Sequence, residues 1–363
     1  MNGPSNIVRL ALNDIVIYVF MDKEIAVGKQ SFCSDIRNID INKFIVKTLD
    51  NLKNKYPEKK FTLYVSKYLS YDEIYNFNYK GSYINEMVKL CDSINKNQFT
   101  NTKADYMTFA NSIYKNCKNI AQNINKKYLY IWDYRKFSLT DLTNIKDGLT
   151  LFKIELEKIY NYINVDIKEK YNNLFGQIIL DKIIGEINDY IGIIVKKIDT
   201  EILELYRIIG KYKSVLMEKI NNNDDSNNIM STRYSYSYKN LMDIYDILLR
   251  LNYFMEDIEG YIMAYLNNIY LYGKILEEKT LNNILYLPEL YGVNLIYILV
   301  KYFGYKITNG FYVKDIENNK ENILKNTEFF IRQSSKFKDL EKIFVQMYNL
   351  NCINVESFPE LFL

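Results

Sequence analysis

The sequence of 363 residues contains no histidine. Without an imidazole, the chain cannot form Ser-His or Cys-His nucleophilic pairs, nor a zinc, iron or copper site with histidine ligands. Walker A and G-x-G-x-x-G motifs are also missing, which removes the common phosphate-binding loops. We therefore expect a non-enzymatic protein that needs no cofactor. A divergent enzyme that uses carboxylates and a divalent metal is the remaining catalytic alternative.

Proline is absent from residues 58–287, and only eight glycines fall in that stretch. In a helix interior, proline costs about 3 kcal/mol and glycine about 1 kcal/mol relative to alanine. Their scarcity over such a length predicts a long helical body. This body is rich in Ile, Leu and Tyr, so a large apolar surface must be hidden inside it.

Paired cysteines, a strong net charge and long apolar runs are missing as well. The four cysteines lie far apart without a C-x-x-C pair, so we expect free structural thiols in a reducing compartment. A net charge of +3 is small for a dedicated nucleic-acid binder. The N-terminus does not resemble a signal peptide, and no apolar stretch reaches the roughly 18 residues that span a bilayer. We expect neither secretion nor a transmembrane segment.

The first part of the chain has a mixed α/β pattern. β-Branched and aromatic residues predict strands at residues 14–21, 24–27 and 61–65. Between them, an apolar face predicts a helix that begins after Asp40 or Asn42 and ends before Pro57. We expect a small sheet with a helix on one face.

The rest of the chain has a helical pattern. We predict a helix over residues 103–125 and a helix cap at Ser138 or Thr140. Apolar residues recur at helical spacing over residues 151–220, and so long a run predicts a break near Gly176, Gly192 or Gly210.

Near the C-terminus, Asn309-Gly310 predicts a short hairpin over residues 305–313, followed by a helix over residues 322–348. The Asn-rich segment 221–228 predicts an exposed loop. Together these patterns predict an α+β protein that is predominantly α-helical. A small α/β domain is expected at residues 1–120, and a large all-α domain with an apolar cavity at residues 121–363.

Tyrosine is abundant, with 35 residues. Its apolar ring and polar hydroxyl suit a surface that is half apolar and half hydrated. One interpretation is ordinary filling of core and surface. The other is that part of the helical domain wraps an apolar ligand. The walls of that cavity would be Leu248, Tyr261, Tyr265, Ile269, Leu295, Ile298, Leu299 and Phe303.

Basic residues cluster around residues 115–136, interleaved with Tyr128, Tyr130 and Trp132. The cluster fits anionic lipid head groups with aromatic side chains at the membrane interface. A stripe for single-stranded nucleic acid and an ordinary solvated helix face are the alternatives. The residues are Lys115, Lys118, Lys126, Lys127, Arg135 and Lys136.

In length, domain order and Lys/Asn/Ile/Tyr-rich composition, the chain resembles a poxvirus viral membrane assembly protein of the insect-poxvirus kind. The stretches Tyr206-Arg207-Ile208-Ile209 and Asn240-Leu241-Met242-Asp243-Ile244-Tyr245 are similar in character. The resemblance implies a helical domain whose interior holds lipid while open membrane crescents form. It also implies a location in the host cytoplasm, at the viral factory, or in the virion.

The expected function is therefore non-enzymatic lipid binding in viral membrane assembly, with acyl chains held inside the helical domain. Bound phospholipid or fatty acid, a membrane edge and other viral assembly proteins are the expected partners, and nucleic acid is not. The alternative is a structural or interaction protein of a virion or transcription complex that uses apolar helices as a protein interface.

Overall fold

The strands of the protein form one six-stranded sheet. In the computed structural model, the described residues are 4, 6–22, 40–66, 83–99, 101–107, 112–129, 137–221, 238–311, 328 and 331–334. The strands are β1 (Asn6–Leu12), β2 (Ile15–Asp22), β3 (Phe61–Ser66), β4 (Thr102–Met107), β5 (Asn282–Pro288) and β6 (Lys306–Phe311).

The sheet is mixed, with the strand order β4-β3-β5-β2-β1-β6. The strands β4, β3, β5 and β2 are parallel, whereas β1 pairs antiparallel with both β2 and β6. All six residues of β3 are buried. Parallel strands covered on both faces have no solvated side. The strands β2 and β5 are accordingly near-continuous apolar runs, whereas β3 also buries Thr62, Tyr64 and Ser66 between its apolar residues.

Helices make up most of the described chain. They are α1 (Ile41–Lys55), α2 (Tyr83–Ser93), α3 (Ser112–Tyr128), α4 (Leu139–Tyr162), α5 (Lys168–Phe175), α6 (Gln177–Asn221), α7 (Tyr238–Asp257), α8 (Ala264–Glu277) and α9 (Glu289–Tyr302). π-Helical turns follow α2, α4 and α7, at Ile94–Gln98, Ile163–Ile167 and Ile258–Met263.

The chain divides into two units that interleave along the sequence. The α/β unit consists of Met1–Phe109, Asn173–Ile179 and Ala264–Leu363, and the helical unit of Ala110–Asn172 and Leu180–Met263. The predicted domains were residues 1–120 and 121–363. In the structure, β5, α9 and β6 join the N-terminal strands in one sheet unit.

The α/β unit has three layers. The apolar faces of α1 and α2 pack on the sheet face that carries Tyr18 and Phe20. On the other face, Gly292 of α9 lies against Val19 and Met21, because successive side chains of a strand point to opposite sides. The helix α8 lies on that face too, since Asn267 accepts a hydrogen bond from Ser66. The sequence pattern predicted a helix on only one face.

The helical unit is built from antiparallel helices. Between α4 and α6, Lys153 pairs with Asp199 and Asn164 with Asn188, so the two helices run in opposite directions. The other pairs of helices are joined by Asn116 and Glu155 (α3–α4), by Arg250 and Glu201 (α6–α7), by Lys197 and Asp257 (α6–α7), and by Asn125 and Asn252 (α3–α7). Contacts that follow this register along whole helices are typical of a bundle.

Several sequence predictions are confirmed. The α+β class with a predominance of helix holds. The strands predicted at residues 14–21 and 61–65 and the helix that ends before Pro57 are present. Ser138 caps α4, and its side chain and that of Asp141 form a reciprocal capping box. The predicted break occurs at Gly176, which has a φ of +78°.

Other predictions are wrong. Residues 103–125 are not one helix, because Thr102–Met107 pairs with β3 and the helix begins only at Ser112. Residues 305–313 do not form a hairpin, because Lys306–Phe311 is a single strand paired with β1. The alternative break sites Gly192 and Gly210 lie inside α6, so the predicted break occurs at Gly176 alone. The strands β1 and β5 were missed.

Some predicted elements cannot be compared. The strand at 24–27 lies outside the described residues, as does the predicted loop at 221–228 apart from its first residue, which ends α6. Of the predicted helix at 322–348, the structure describes only residue 328 and residues 331–334. Four of these five residues are helical.

Candidate functional site

The eight predicted cavity residues are divided between the two units. Leu248 and Tyr261 belong to the helical unit, and the remaining six belong to the α/β unit. Leu248 is buried in α7, and the ring of Tyr261 stacks on that of Tyr190 with centroids 4.9 Å apart. The structure therefore does not gather all eight side chains within one unit.

The six candidates in the α/β unit lie on α8, on α9 and just after α9. Five are buried, namely Tyr265, Ile269, Leu295, Ile298 and Leu299. Phe303 is half-buried, and its ring packs edge-on against Phe175 and Tyr272, with centroid distances of 5.2 and 4.5 Å. Close aromatic contacts of this kind are typical of a packed core.

The predicted basic patch is only partly described. Lys115, Lys126 and Lys127 are exposed on α3, and Lys118 is buried. Lys127 and Lys126 are adjacent and therefore point about 100° apart around the helix axis, and Lys127 lies over the ring of Tyr128. The remaining two residues, Arg135 and Lys136, lie outside the described residues.

The longest helix, α6, has one side whose residues are exposed along most of the helix. It is 45 residues long, or about 67 Å at 1.5 Å per residue. Its buried side chains, such as Ile187, Ile194 and Leu205, all point into the bundle. We call the opposite side the outer face of α6. It comprises Asp181, Lys182, Gly185, Asp189, Gly192, Lys196, Thr200, Leu203, Arg207, Gly210, Ser214 and Met217.

Large apolar side chains are exposed on and beside this outer face. Leu203 is 67% exposed, Met217 62% and Tyr206 55%. Ile193 lies at the other edge of the face and is exposed too. Exposed apolar residues are normal on a protein surface, and α4 also exposes Leu151, Ile154 and Tyr160. What distinguishes α6 is that its exposed apolar residues share a helix face with glycines.

Three glycines share the outer face, and no described neighbour requires them. A Cβ added at Gly185, Gly192 or Gly210 would meet no atom within 4 Å. By contrast, a Cβ at Gly148 on α4 would collide with Ile124 on α3, so that glycine is explained by helix packing. Each helix-interior glycine costs about 1 kcal/mol relative to alanine. Spacings of 7 and 18 residues are close to whole helical turns, which is the sequence signal for one shared face.

Charge is unevenly distributed along the exposed side of α6. Its first part, from Asp181 to Gly192, carries three carboxylates and one lysine. Its later part, from Leu203 to Ser214, carries three cations and one carboxylate. Some of these groups already have partners in the bundle, since Arg207 pairs with Glu204 and Asp243. The helix is therefore acidic towards its beginning and basic towards its end.

A second polar group lies at the carboxyl ends of the parallel strands in the α/β unit. The hydroxyl of Tyr286 on β5 donates to the buried carboxylate of Asp22 at the end of β2, over 2.5 Å. Nearby, Tyr83 donates to Asp40 over 3.2 Å. Burial, together with the charges of Asp40 and Asp22, raises the pKa of Tyr83 to about 12. These residues were not predicted from the sequence, although a polar residue that follows an apolar strand can indicate a site at the carboxyl end of a sheet.

Asparagine side chains of α8 and α9 form a separate polar group on the other face of the sheet. Asn268 donates to the backbone carbonyl of Tyr291 and to Asn294. Three buried amide atoms of α8 and α9 make no hydrogen bond to a described residue, namely Asn267 Nδ2, Asn268 Oδ1 and Asn294 Nδ2. Such atoms can bind buried water or a small polar molecule. The described residues contain no cluster of three or more acidic or cysteine side chains suited to a metal ion.

The two cysteines that the structure describes are free and buried, as the sequence predicted for thiols. Burial raises the pKa of Cys91 and of Cys117 to about 12. Because the thiolate is the reactive form, neither side chain is suited to be a nucleophile. Among the described helices, none is apolar enough over a sufficient length to cross a membrane.

Two proteins of Acanthamoeba polyphaga mimivirus are similar to this chain. Uncharacterized protein R706 is 26% identical across all of this chain and 96% of its own length. Uncharacterized protein R160 is also 26% identical, across all of this chain and 97% of its own length. No protein-family model matches, so membership of a poxvirus membrane assembly family is not shown. No solved structure matches either. The two relatives agree with an origin in a large DNA virus.

Proposed function

We propose that this chain is a structural or interaction protein that binds another protein through the outer face of α6. The observation that carries the proposal is the exposure of Leu203 and Met217 on the same face of α6 as three glycines that no described neighbour requires. Glycines let a second backbone approach closely, and the exposed apolar side chains gain free energy when such an approach removes them from water.

The two mimivirus relatives support a viral setting for this proposal. Their similarity extends over nearly their full length, so the helical unit falls within the aligned region. An interaction protein of a virion or of a viral complex is the form of this function that we favour. It needs no bound cofactor and no catalytic group.

Lipid binding in membrane assembly remains the rival proposal. Its candidate cavity walls are eight residues, of which Leu248 and Tyr261 belong to the helical unit and six to the α/β unit. Those in the α/β unit pack close to aromatic rings such as Phe175 and Tyr272. The observations therefore favour the interaction surface over an acyl-chain cavity.

Native mass spectrometry of the purified full chain, followed by solvent extraction, separates the two proposals. We expect protein complexes with no stoichiometric lipid. A monomeric chain that carries phospholipid at near-stoichiometric amounts would overturn the interaction proposal. That result would direct attention to Tyr265 and Leu299.

A matched pair of variants locates the surface. Leu203→Glu places a charge on the outer face of α6, and Leu151→Glu places the same charge on α4, at a residue that is 54% exposed. We expect the first variant to lose the complexes and the second to retain them. Because both positions are exposed, both variants should fold, as circular dichroism can verify. Equal behaviour of the two variants would refute the assignment to α6.

A further inference from the structure

We infer that the partner of the outer face of α6 is a second copy of this chain, packed antiparallel across a two-fold axis near residues 197–198. The inference rests on the proposed function and adds the identity and direction of the partner. A two-fold interface brings the same patch of both subunits together, so the patch must be complementary to itself. The charges and the side-chain sizes along α6 both satisfy this condition.

The charge distribution favours an antiparallel pair. The acidic part of one copy, Asp181–Gly192, then lies along the basic part of the other, Leu203–Ser214. Asp189 of one copy falls within one residue of the position opposite Arg207 of the other, and Arg207 also pairs with Glu204 and Asp243 of its own chain. A parallel pair would place acidic on acidic and basic on basic residues, which opposes association.

Side-chain size gives the same register independently of charge. With the axis near residues 197–198, the exposed Leu203 of one copy falls opposite Gly192 of the other. Because of the two-fold symmetry this contact occurs twice, once on each side of the axis. Gly185 and Gly210 fall opposite each other further out. A leucine over a glycine allows a close helix crossing, and the space above each of these glycines is empty within the chain.

Cysteine crosslinking of the full chain tests the direction of the pair. Gly192→Cys and Leu203→Cys are made separately, in a background in which Cys33 and Cys352 are serine, while the buried Cys91 and Cys117 are retained. In the antiparallel pair, residue 192 faces residue 203, whereas two copies of residue 192 lie about 16 Å apart along the helix. We expect little disulfide-linked dimer from either variant alone and a strong dimer band when the two are mixed.

Other band patterns contradict the arrangement. A strong dimer from each variant alone would show a parallel pair, and crosslinks in none of the three samples would show that these faces do not meet. Sedimentation velocity over roughly 1–100 µM checks self-association without crosslinking. We expect a concentration-dependent dimer whose dissociation constant rises at least about tenfold in Leu203→Glu and is unchanged in Leu151→Glu.

The design separates failure of this inference from failure of the proposed function. A chain that remains monomeric, while a photo-crosslinker at position 203 captures a different protein in cells that naturally produce the chain, overturns the second-copy inference and leaves the interaction surface standing. A monomeric chain without any protein crosslink from position 203 overturns both. A dimer that survives Leu203→Glu shows that self-association uses another surface and also overturns the inference.

Discussion

The α/β unit covers its most apolar helix completely, whereas the helical unit leaves one side of its longest helix exposed. Residues Tyr291–Val300 of α9 are all buried. In α6, buried residues such as Ile194 alternate at helical spacing with exposed ones such as Leu203. A helix that is apolar all round needs a sheet or further helices on every side, whereas an amphipathic helix needs a cover on one side only. The exposed apolar residues of α6, such as Leu203, therefore remain in contact with solvent in the single chain.

The largest expected difference between the two units is in the free energy of unfolding when a leucine is replaced by alanine, at Leu299 in α9 or at Leu203 in α6. Leu299→Ala in α9 removes a fully buried side chain and should lower the free energy of unfolding by about 2–5 kcal/mol. Leu203→Ala on the outer face of α6 should change it by less than about 0.5 kcal/mol in the monomer. Urea denaturation at low protein concentration measures both values.

The same leucine pair also tests the lipid cavity. If Leu299 lines an empty acyl-chain cavity after delipidation, its truncation should be nearly neutral, because no packed neighbours are lost. Equal effects of Leu299→Ala and Leu203→Ala would therefore contradict the packed core that the structure shows for α9. Phe152→Leu, at another buried position, is a control in the core of the helical unit.

Replacing a glycine by alanine should change the stability in opposite directions at Gly292 in the α/β unit and at Gly192 in the helical unit. A Cβ at Gly292 in α9 would collide with Met21 of β2, so Gly292→Ala should destabilise the protein by about 1–3 kcal/mol through overpacking. Gly192→Ala meets nothing within the chain and should stabilise the monomer by about 1 kcal/mol. Thermal unfolding followed by circular dichroism distinguishes a lowered midpoint from a raised one.

Measuring the dimer affinity of Gly192→Ala tests whether a second helix crosses α6 at this glycine. If a second helix crosses at Gly192, the alanine variant should gain monomer stability and lose dimer affinity at the same time. A variant that gains both would show that no backbone approaches this position. Gly148→Ala on α4, which would collide with Ile124, is the matched control and should destabilise the helical unit.

A smaller effect is expected from pH and concerns the α/β unit. The pKa of Tyr83 is raised from 10.0 to about 12 by burial and by the charges of Asp40 and Asp22. A raised pKa means that the folded state holds the proton more tightly, so this contribution is fully present below pH 10 and is lost as the pH rises towards 12. Tyr83→Phe should flatten the stability profile over that interval. An unchanged profile in the variant would contradict the contact between Tyr83 and the carboxylates.

The smallest effect is expected for a surface ion pair in the helical unit. Lys153 and Asp199 join α4 to α6 over 2.7 Å, and both side chains are partly exposed. Such pairs contribute about 0.2–1 kcal/mol and weaken with salt. The double-mutant cycle with Lys153→Ala and Asp199→Ala should give a coupling in this range that shrinks at 1 M NaCl. A larger, salt-independent coupling would show a buried pair.

Local patterns predicted those parts of the fold that depend on local interactions. The strand β2, the helix α1 and the capping of α4 by Ser138 follow from β-branched residues, an apolar helix face and a capping side chain. Their partners in space do not follow, because β5 is paired with β2 and β3 across a long stretch of intervening chain. The residues of β4 were predicted as helix from a weak local preference. Their pairing with β3 outweighs that preference and makes them a strand. For the same reason, Asn309-Gly310 lies inside β6 instead of forming a turn.

The candidate surface was predictable only in part. Gly192 and Gly210 could be placed on one helix face from their spacing, but they were predicted as alternative break sites beside Gly176. Only the packed bundle shows that their side of α6 is exposed, whereas Gly148 is required by a neighbouring helix. Likewise, the spacing of Leu248 and Tyr265 gives no sign that they belong to different units.

The sequence by itself determined the predominance of helix, the apolar strands near the N-terminus and the absence of imidazole chemistry, because these depend on composition and on the preferences of neighbouring residues. Only the tertiary structure decided which strands share the sheet, which helices belong to which unit and which side of α6 faces the solvent. Those properties depend on contacts between residues far apart in the chain, and each apolar face could have been covered by several different partners.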